Sequence, residues 1–461
     1  MAVKSKKFLL RAIYDMEAGI RELSEKIEAE DFVIKEREFK LGYPEKIATY
    51  RLLPKRKGIH KDWLNKEVDA VKICPHGTEG EVIVIDELSI QLPKVPDNKK
   101  DILFWDKPKE DQYWVRPDIP DVITPDNVEQ WHDFIMQEFD RRIHGVWFYN
   151  NGVPTYLTGD YYFSLTHAPM KDNGGFMDFR IAQLRMSYHM TACIVDERCL
   201  GQIFLKSRRT GFTYLVLFSL LNSASLNANK ALGMTSKTGA DVEEAFGKFS
   251  YAFLNLPFYF RPVVKGKEDS LRELFFGKPS NTSKEAKKSR DTSTGDYLNT
   301  SIDWRNTKNG SYDSVKLDRY LGDECGKWER PEDYIEHFGM VSPTMMPAGK
   351  VVGKAFLGST MGSRDKGGQQ MIELYVNSKP SQRNLTTGKT PTALYKHFLS
   401  AQDNMEEFTD KYGFCHSTKP DKDTFNIFGK EITMGSEDYL LAVEEDKKKQ
   451  SDKALNEQQR T

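Results

Sequence analysis

The stretch 201–226 constrains this chain more than any other. It reads Gly-Gln-Ile-Phe-Leu-Lys-Ser-Arg-Arg-Thr-Gly-Phe-Thr and continues Tyr-Leu-Val-Leu-Phe-Ser-Leu-Leu. An apolar strand through Ile203, Phe204 and Leu205 runs into a short basic loop, and the loop closes on Gly211-Phe-Thr213 at the head of an apolar helix. Strand, anion-binding loop and helix form one unit. The helix N-terminus presents unpaired N–H groups and the positive end of its dipole, and successive loop amides form an anion nest.

The common phosphate-loop pattern is G-x-x-x-x-G-K-[ST]. In the same frame this chain has Lys206-Ser-Arg-Arg-Thr-Gly-Phe-Thr213, so Gly211 and Thr213 keep their places. Lys206 stands where the first glycine is usual, and Phe212 where the lysine is usual. The positive charge has moved to the front of the loop. Taken alone, such a loop also fits a basic turn before a buried helix, so its reading depends on partners further along the chain.

At 461 residues the chain is too long for one typical core, and two or three domains are expected. Its net charge of -1 excludes a general polycation, so any nucleic-acid contact must come from local patches. The five cysteines are scattered and form no metal-type pair, which fits a reducing compartment. The first residues, Met-Ala-Val-Lys-Ser-Lys-Lys, lack the apolar run of a signal peptide, and no apolar segment is long enough to span a membrane.

In chain order, the apolar spacing predicts a coiled-coil-like helix over 8–39, packed on its own protein or on a partner. Residues 40–66 are rich in Lys and Arg. Short strands are expected at 81–86 and 90–92, followed by a proline-rich connector over 93–120. A helix over 128–143, a hairpin turning at Asn151-Gly152 and a helix over 179–194 lead into the loop strand. Beyond the loop helix come a strand at 231–235 and a helix opened by Thr238 with an acidic Asp241 at its third position. This alternation is the grammar of a parallel α/β sheet. Residues 265–296 read as a mobile polar loop, and Asn309-Gly310 as the turn of a second hairpin between 297–306 and 312–317.

The next strand ends Leu321-Gly-Asp323-Glu324. An apolar strand ending in Asp-Glu, well after a phosphate loop, is the second half of a nucleotide site. Asp323 and Thr213 are candidate Mg²⁺ ligands, since that ion takes oxygen ligands from one or two side chains plus phosphate oxygens. Glu324 is the candidate to polarise an attacking water. A third strand ends at Gly358-Ser359-Thr360, small hydroxyl residues placed to sense a γ-phosphate. No zinc-type pattern and no Gly-x-Ser-x-Gly elbow is present, and no set of strand-borne acids after Thr360 would build a two-metal nuclease.

These stretches, in this order, resemble the large subunit of tailed-phage terminases, the ATP-driven DNA-packaging motor. The likeness is carried by Lys206-Ser-Arg-Arg-Thr-Gly-Phe-Thr213, Met234-Thr-Ser-Lys-Thr-Gly-Ala-Asp241, Gly322-Asp-Glu-Cys-Gly-Lys327, Gly358-Ser-Thr-Met-Gly362 and Leu394-Tyr-Lys-His-Phe-Leu399. It covers about 147–439, and Tyr156-Leu-Thr-Gly-Asp160 is closest to the large gut-phage type. The resemblance implies an α/β fold: a RecA-like P-loop NTPase of the additional-strand, conserved-glutamate type with a parallel central sheet. It also implies an N-terminal helical or extended region (1–125), a motor domain (126–385) and a linker or lid subdomain (386–461). ATP and Mg²⁺ are the implied cofactors. Lys206, Ser207, Arg208, Arg209, Thr210, Gly211, Phe212 and Thr213 would cradle the phosphates, with Lys206 and Arg209 assisting Glu324 in hydrolysis. Ser359 and Thr360 would line the same site, Gln183 or Arg180 would meet the adenine, and Arg261 is a candidate for an arginine acting on a neighbouring subunit. Implied partners are double-stranded DNA, a portal and prohead, a small terminase subunit and further copies in a homo-oligomeric ring. The implied place is the cytoplasm of an infected bacterial host, with no membrane. The family's C-terminal nuclease is expected to be missing. Another nucleic-acid-dependent NTPase, helicase-like, and a non-catalytic assembly module are the alternatives.

Overall fold

The computed structural model describes residues 70–73, 79–265, 267–277, 298–306, 308, 310–328, 333–361, 367–384 and 386–458. The expected helix at 8–39, the basic stretch at 40–66 and Asn309 lie outside the described residues.

The chain leads in through β1 (Val71–Lys72), β2 (Glu79–Ile85) and β3 (Leu88–Pro93), which form a small sheet in the order β1-β3-β2. Helix α1 (His132–His144) follows, then the hairpin β4 (Val146–Asn150) and β5 (Val153–Leu157). Its two turn residues, Asn151 and Gly152, both have positive φ (49° and 81°), the backbone an Asn-Gly hairpin turn requires. Helices α2 (Gly159–Thr166) and α3 (Ile181–Val195) precede the central sheet.

That sheet is built from β6 (Gly201–Lys206), β7 (Ala231–Thr235), β8 (Glu273–Phe276), β9 (Thr300–Trp304), β10 (Arg319–Asp323), β11 (Lys354–Ser359) and β12 (Leu394–Leu399). Its order is β12-β6-β11-β10-β7-β9-β8, parallel throughout except where β8 joins β9. A parallel sheet is covered on both faces, and its strands are therefore apolar on both sides. Alternate residues divide between two cores: Phe204, Leu321 and Phe356 point into one, while Ile203, Tyr320 and Leu357 point into the other.

The first core holds α4 (Phe212–Leu226), the helix that follows the basic loop. It is buried at every residue except Thr213 and Tyr214. A helix apolar on all sides belongs in a core, and its few polar residues must then find buried partners. Asp160, from the Tyr156–Asp160 motif, supplies them: its carboxylate accepts from Ser219 Oγ at 2.6 Å and from Asn222 Nδ2 at 2.7 Å. Arg142 donates to Asn222 Oδ1 at 2.9 Å and to Ser225 Oγ at 2.6 Å, and Arg319 donates to Ser219 Oγ at 2.8 Å. The motif upstream of the loop thus anchors the flank of the loop's own helix.

Helix α5 (Gly239–Leu254) starts as its sequence predicts: Thr238 Oγ1 accepts from the Asp241 N–H at 3.2 Å. Helices α6 (Tyr334–Met345) and α7 (Gln369–Val376) contribute Tyr334, Phe338, Val341, Met345, Met371 and Leu374 to the second core. Helix α8 (Ser436–Gln458) ends the described chain.

Two expectations are corrected. The polar stretch 265–296 contains a strand, β8, because Leu274 and Phe276 alternate into the core beside Ile302; residues 278–297 lie outside the described residues. Among the described residues, 312–317 forms no strand paired with β9. β9 pairs with β7 and β8 instead, and Tyr312 folds beneath the sheet, its hydroxyl donating to the Asp303 backbone carbonyl at 2.9 Å. Just beyond the expected boundary at 385, β12 pairs in register with β6 from Leu394↔Gly201 to Leu399↔Lys206.

Candidate functional site

Lys206, Asp323 and Ser359 are the last residues of β6, β10 and β11. These strands are parallel, and β11 lies between the other two. Residues remote in sequence are therefore collected at one edge of the sheet, the carboxyl end, where open α/β sheets bind ligands.

Their contacts form one cluster. Thr213 Oγ1 donates to Asp323 Oδ2 at 2.7 Å. Lys206 Nζ donates to Asp323 Oδ1 at 3.1 Å and lies 3.5 Å from Thr213 Oγ1. The lysine at the front of the loop thus returns over Thr213 at the start of α4. Its ammonium also stands over the Phe212 ring, 4.9 Å from the centroid, a cation–π contact.

Phe212 itself is buried beneath the loop, 5.2 Å from Phe204 between ring centroids. The ring fills the space over Gly358, where an added Cβ would lie 2.2 Å from its nearest atom. Gly358→Ala should therefore push Phe212 and the loop out of place. The expected loss is about 1–3 kcal/mol of stability, as overpacking of a tight core costs, and urea unfolding would measure it. An unchanged midpoint would mean that the ring has free space to move into.

The loop's turn is set by backbone. Arg209 (φ 61°) and Gly211 (φ 80°) are both left-handed, and a Cβ on Gly211 would sit 2.4 Å from Gln183 Nε2. Gln183 donates to the Thr210 carbonyl at 3.2 Å and accepts from the Tyr161 hydroxyl at 3.3 Å, so its amide braces the loop. Asn404 Nδ2 donates to the Arg209 carbonyl at 3.1 Å, which ties the C-terminal segment to the loop as well. The side chains of Arg208 and Arg209 are exposed, and Ser207 is half-buried.

The loop opens on a cleft of about 630 Å³. Lys206 to Thr213 line it, together with Glu324, Lys327, Thr360, Met177, Arg180, Gln183, Glu406 and Phe428. Arg180 pairs with Glu406 there. Arg261, by contrast, donates to the Leu254 carbonyl at 3.0 Å and does not line the cleft. Glu324 follows β10 in a left-handed conformation (φ 52°, ψ 35°). Its Oε2 lies 2.7 Å from Lys327 Nζ and 3.4 Å from the Ser359 hydroxyl, and its Oε1 lies 3.9 Å from Lys206 Nζ. Next to it, burial and then the charges of Asp323 and Glu324 push the Cys325 thiol up, so it stays neutral.

The structure brings together Lys206, Thr213, Asp323, Glu324, Ser359 and the whole loop. Sequence reasoning assigned no role to Lys327, Glu406, Asn404 or Phe428. Lys327 carried a readable signal, a basic residue three positions after the Asp-Glu pair; the other three come from a segment whose folding back onto the loop is non-local. Among the described residues no cluster of three or more His, Cys, Asp or Glu could hold a metal ion, and no helix is long and apolar enough to cross a membrane.

Fold and site together define a mixed α/β protein with a large, mostly parallel sheet and a basic cleft at its carboxyl edge. No family model and no curated protein matches the chain. Among solved structures it is similar to phage large terminases and their ATPase domains. The Thermus phage P74-26 large terminase ATPase domain shares 12% identity, over 47% of this chain and 81% of that one, with a TM-score of 0.33. A mutant of that domain shares 13% identity, over 47% and 82%, with a TM-score of 0.33. The HK97 bacteriophage large terminase shares 13% identity, over 54% of this chain and 44% of that one, with a TM-score of 0.35.

Proposed function

We propose that the chain is the ATP-hydrolysing motor subunit of a phage DNA-packaging terminase, moving double-stranded viral DNA into a prohead. One observation carries the reading. The Thr213 hydroxyl and the Lys206 ammonium, from a loop that opens a buried helix, converge on Asp323 at 2.7 Å and 3.1 Å. The strand order supports the finer class, a RecA-like fold of the additional-strand type, because β11 stands between the loop strand and the Asp-Glu strand. In this reading the motor domain runs over 126–385, with 1–125 leading in and 386–461, whose strand β12 pairs with β6, forming a linker or lid.

Thr213 and Asp323 fit Mg²⁺: both are hard oxygen donors, they are 2.7 Å apart, and the carboxylate already faces a cation, Lys206. The ion, when bound, neutralises charge on the β- and γ-phosphates. The chain's own groups do the rest. Loop amides and the α4 N-terminus hold the phosphate oxygens. Lys206 and Arg209 balance charge on the transferred group. Glu324 accepts from and orients the attacking water. Ser359, at the end of the strand between, and Thr360 just after it register the γ-phosphate and move with it. Gln183 acts on the base side through the loop it braces. The partners in this reading are double-stranded DNA, a portal and prohead, a small terminase subunit and further copies in a ring, in the cytoplasm of an infected bacterial host.

The test is ATP hydrolysis by the purified chain, with and without empty proheads. The expected result is Mg²⁺-dependent turnover stimulated by proheads and duplex DNA. Stimulation by single strands alone would place the chain among helicase-like NTPases, and folded protein with no turnover would leave a non-catalytic assembly module.

A further inference from the structure

Glu324 lies close to two ammonium groups. Lys206 is nearer to Asp323, at 3.1 Å, than to Glu324, at 3.9 Å. Lys327 is the close partner, at 2.7 Å, and both members of that pair line the cleft. The backbone fixes the arrangement. The left-handed turn at Glu324 opens a single 3-10 turn, Cys325–Lys327, closed by the Lys327 N–H donating to the Glu324 carbonyl at 2.9 Å. That turn cannot slide. Cys325 and Gly326 are buried, and a Cβ on Gly326 would lie 3.0 Å from Ser359 Oγ and 3.1 Å from Met371. The Lys327 side chain, by contrast, is 28% exposed and open to the cleft.

We infer that Lys327 is a latch on Glu324 that a γ-phosphate releases, an inference that rests on the reading of the cleft as an ATP site. With Lys327 on Oε2, one oxygen of the carboxylate is occupied and poorly placed to accept from an attacking water. A terminal phosphate carries more charge than a carboxylate, and a lysine ammonium is a point charge with three donors on a flexible stem. A triphosphate therefore draws Lys327 off Glu324 and frees Oε2. A diphosphate lacks that terminal charge, so the pair stays closed. The motor then has its water-orienting carboxylate free only while a γ-phosphate is present, and the latch resets when phosphate leaves.

Equilibrium binding separates this from a merely structural role. The probes are ADP and the β,γ-imido analogue of ATP, titrated in Mg²⁺ against wild type, Lys327→Gln, Lys327→Arg, Glu324→Gln and the Glu324→Gln/Lys327→Gln pair. Lys327→Gln should weaken the imido analogue about tenfold, the size of one lost charged contact, and leave ADP unchanged. Lys327→Arg, which keeps the charge, should retain the preference for the triphosphate. Glu324→Gln should tighten the analogue because it no longer competes for Lys327, and that gain should vanish in the double variant. An unchanged ratio of the two affinities in Lys327→Gln, or equal weakening of both ligands, would overturn the latch while leaving the ATP site in place. Wild-type protein that binds neither nucleotide would overturn both.

Discussion

Replacing Glu324 with glutamine should leave ATP bound and stop it being hydrolysed. The amide keeps the shape of the carboxylate and can still accept from the Ser359 hydroxyl, 3.4 Å away in the native protein. It lacks the charge that aligns a water and draws off its proton. Loss of general-base assistance lowers turnover by about 10²–10⁴-fold. The backbone should be untouched, because the left-handed turn at this residue is held by packing around Cys325 and Gly326 rather than by the side chain. Single-turnover phosphate release, set beside equilibrium nucleotide binding, reads the two effects separately. Turnover within a few-fold of wild type would remove Glu324 from the chemistry.

The second large effect is expected at Lys206. It is the charged group of the loop that already reaches Asp323 and Thr213, whereas Arg208 and Arg209 extend to solvent. Phe212 holds the position usual for the lysine and cannot neutralise phosphate. Loss of one donor directed at developing charge costs about 10²–10³-fold in turnover, so Lys206→Ala should lose that much. Asp323 would also lose its ammonium partner and keep the Thr213 hydroxyl. Phe212→Leu is the contrasting variant: it keeps an apolar filler beneath the loop, and its effect should fall on stability rather than on turnover. Steady-state ATPase rates of Lys206→Ala, Arg208→Ala, Arg209→Ala and Phe212→Leu decide the matter. Normal hydrolysis by Lys206→Ala, together with loss in Arg209→Ala, would pass the role to the arginine. Silence of all three charge deletions would mean that this loop does not hold the phosphates.

What could be read from the sequence was what is local. The strand at 231–235, the Thr238 cap and the Asn151-Gly152 hairpin each depend on a few adjacent residues, and each formed where expected. The expected second strand at 312–317 carried the same kind of local signal, yet among the described residues β9 pairs with β7 and β8 instead. The pairing of the edge strand β12 was not legible for a related reason. Its place beside β6 follows from pairing across nearly the whole motor region, which no local pattern announces. The cluster at the strand ends was legible because parallel sheets present the C-termini of all their strands on one side. Three strand-terminal residues read from sequence therefore had to meet. The contacts that hold the loop from outside, from Gln183 and Asn404, needed the coordinates.

The backbone at Glu324 has a consequence for how chains of this kind diverge. A side chain in the left-handed region costs on the order of 1 kcal/mol, which glycine would avoid and asparagine would largely relieve. Folding alone therefore works against a glutamate at this position, and only a need for its carboxylate opposes the change. A descendant freed from that need would be expected to drift to glycine or asparagine here early, while Asp323 and the loop persisted as scaffold. Among relatives of uncertain competence, this one position would then separate working enzymes from those that have kept only the architecture.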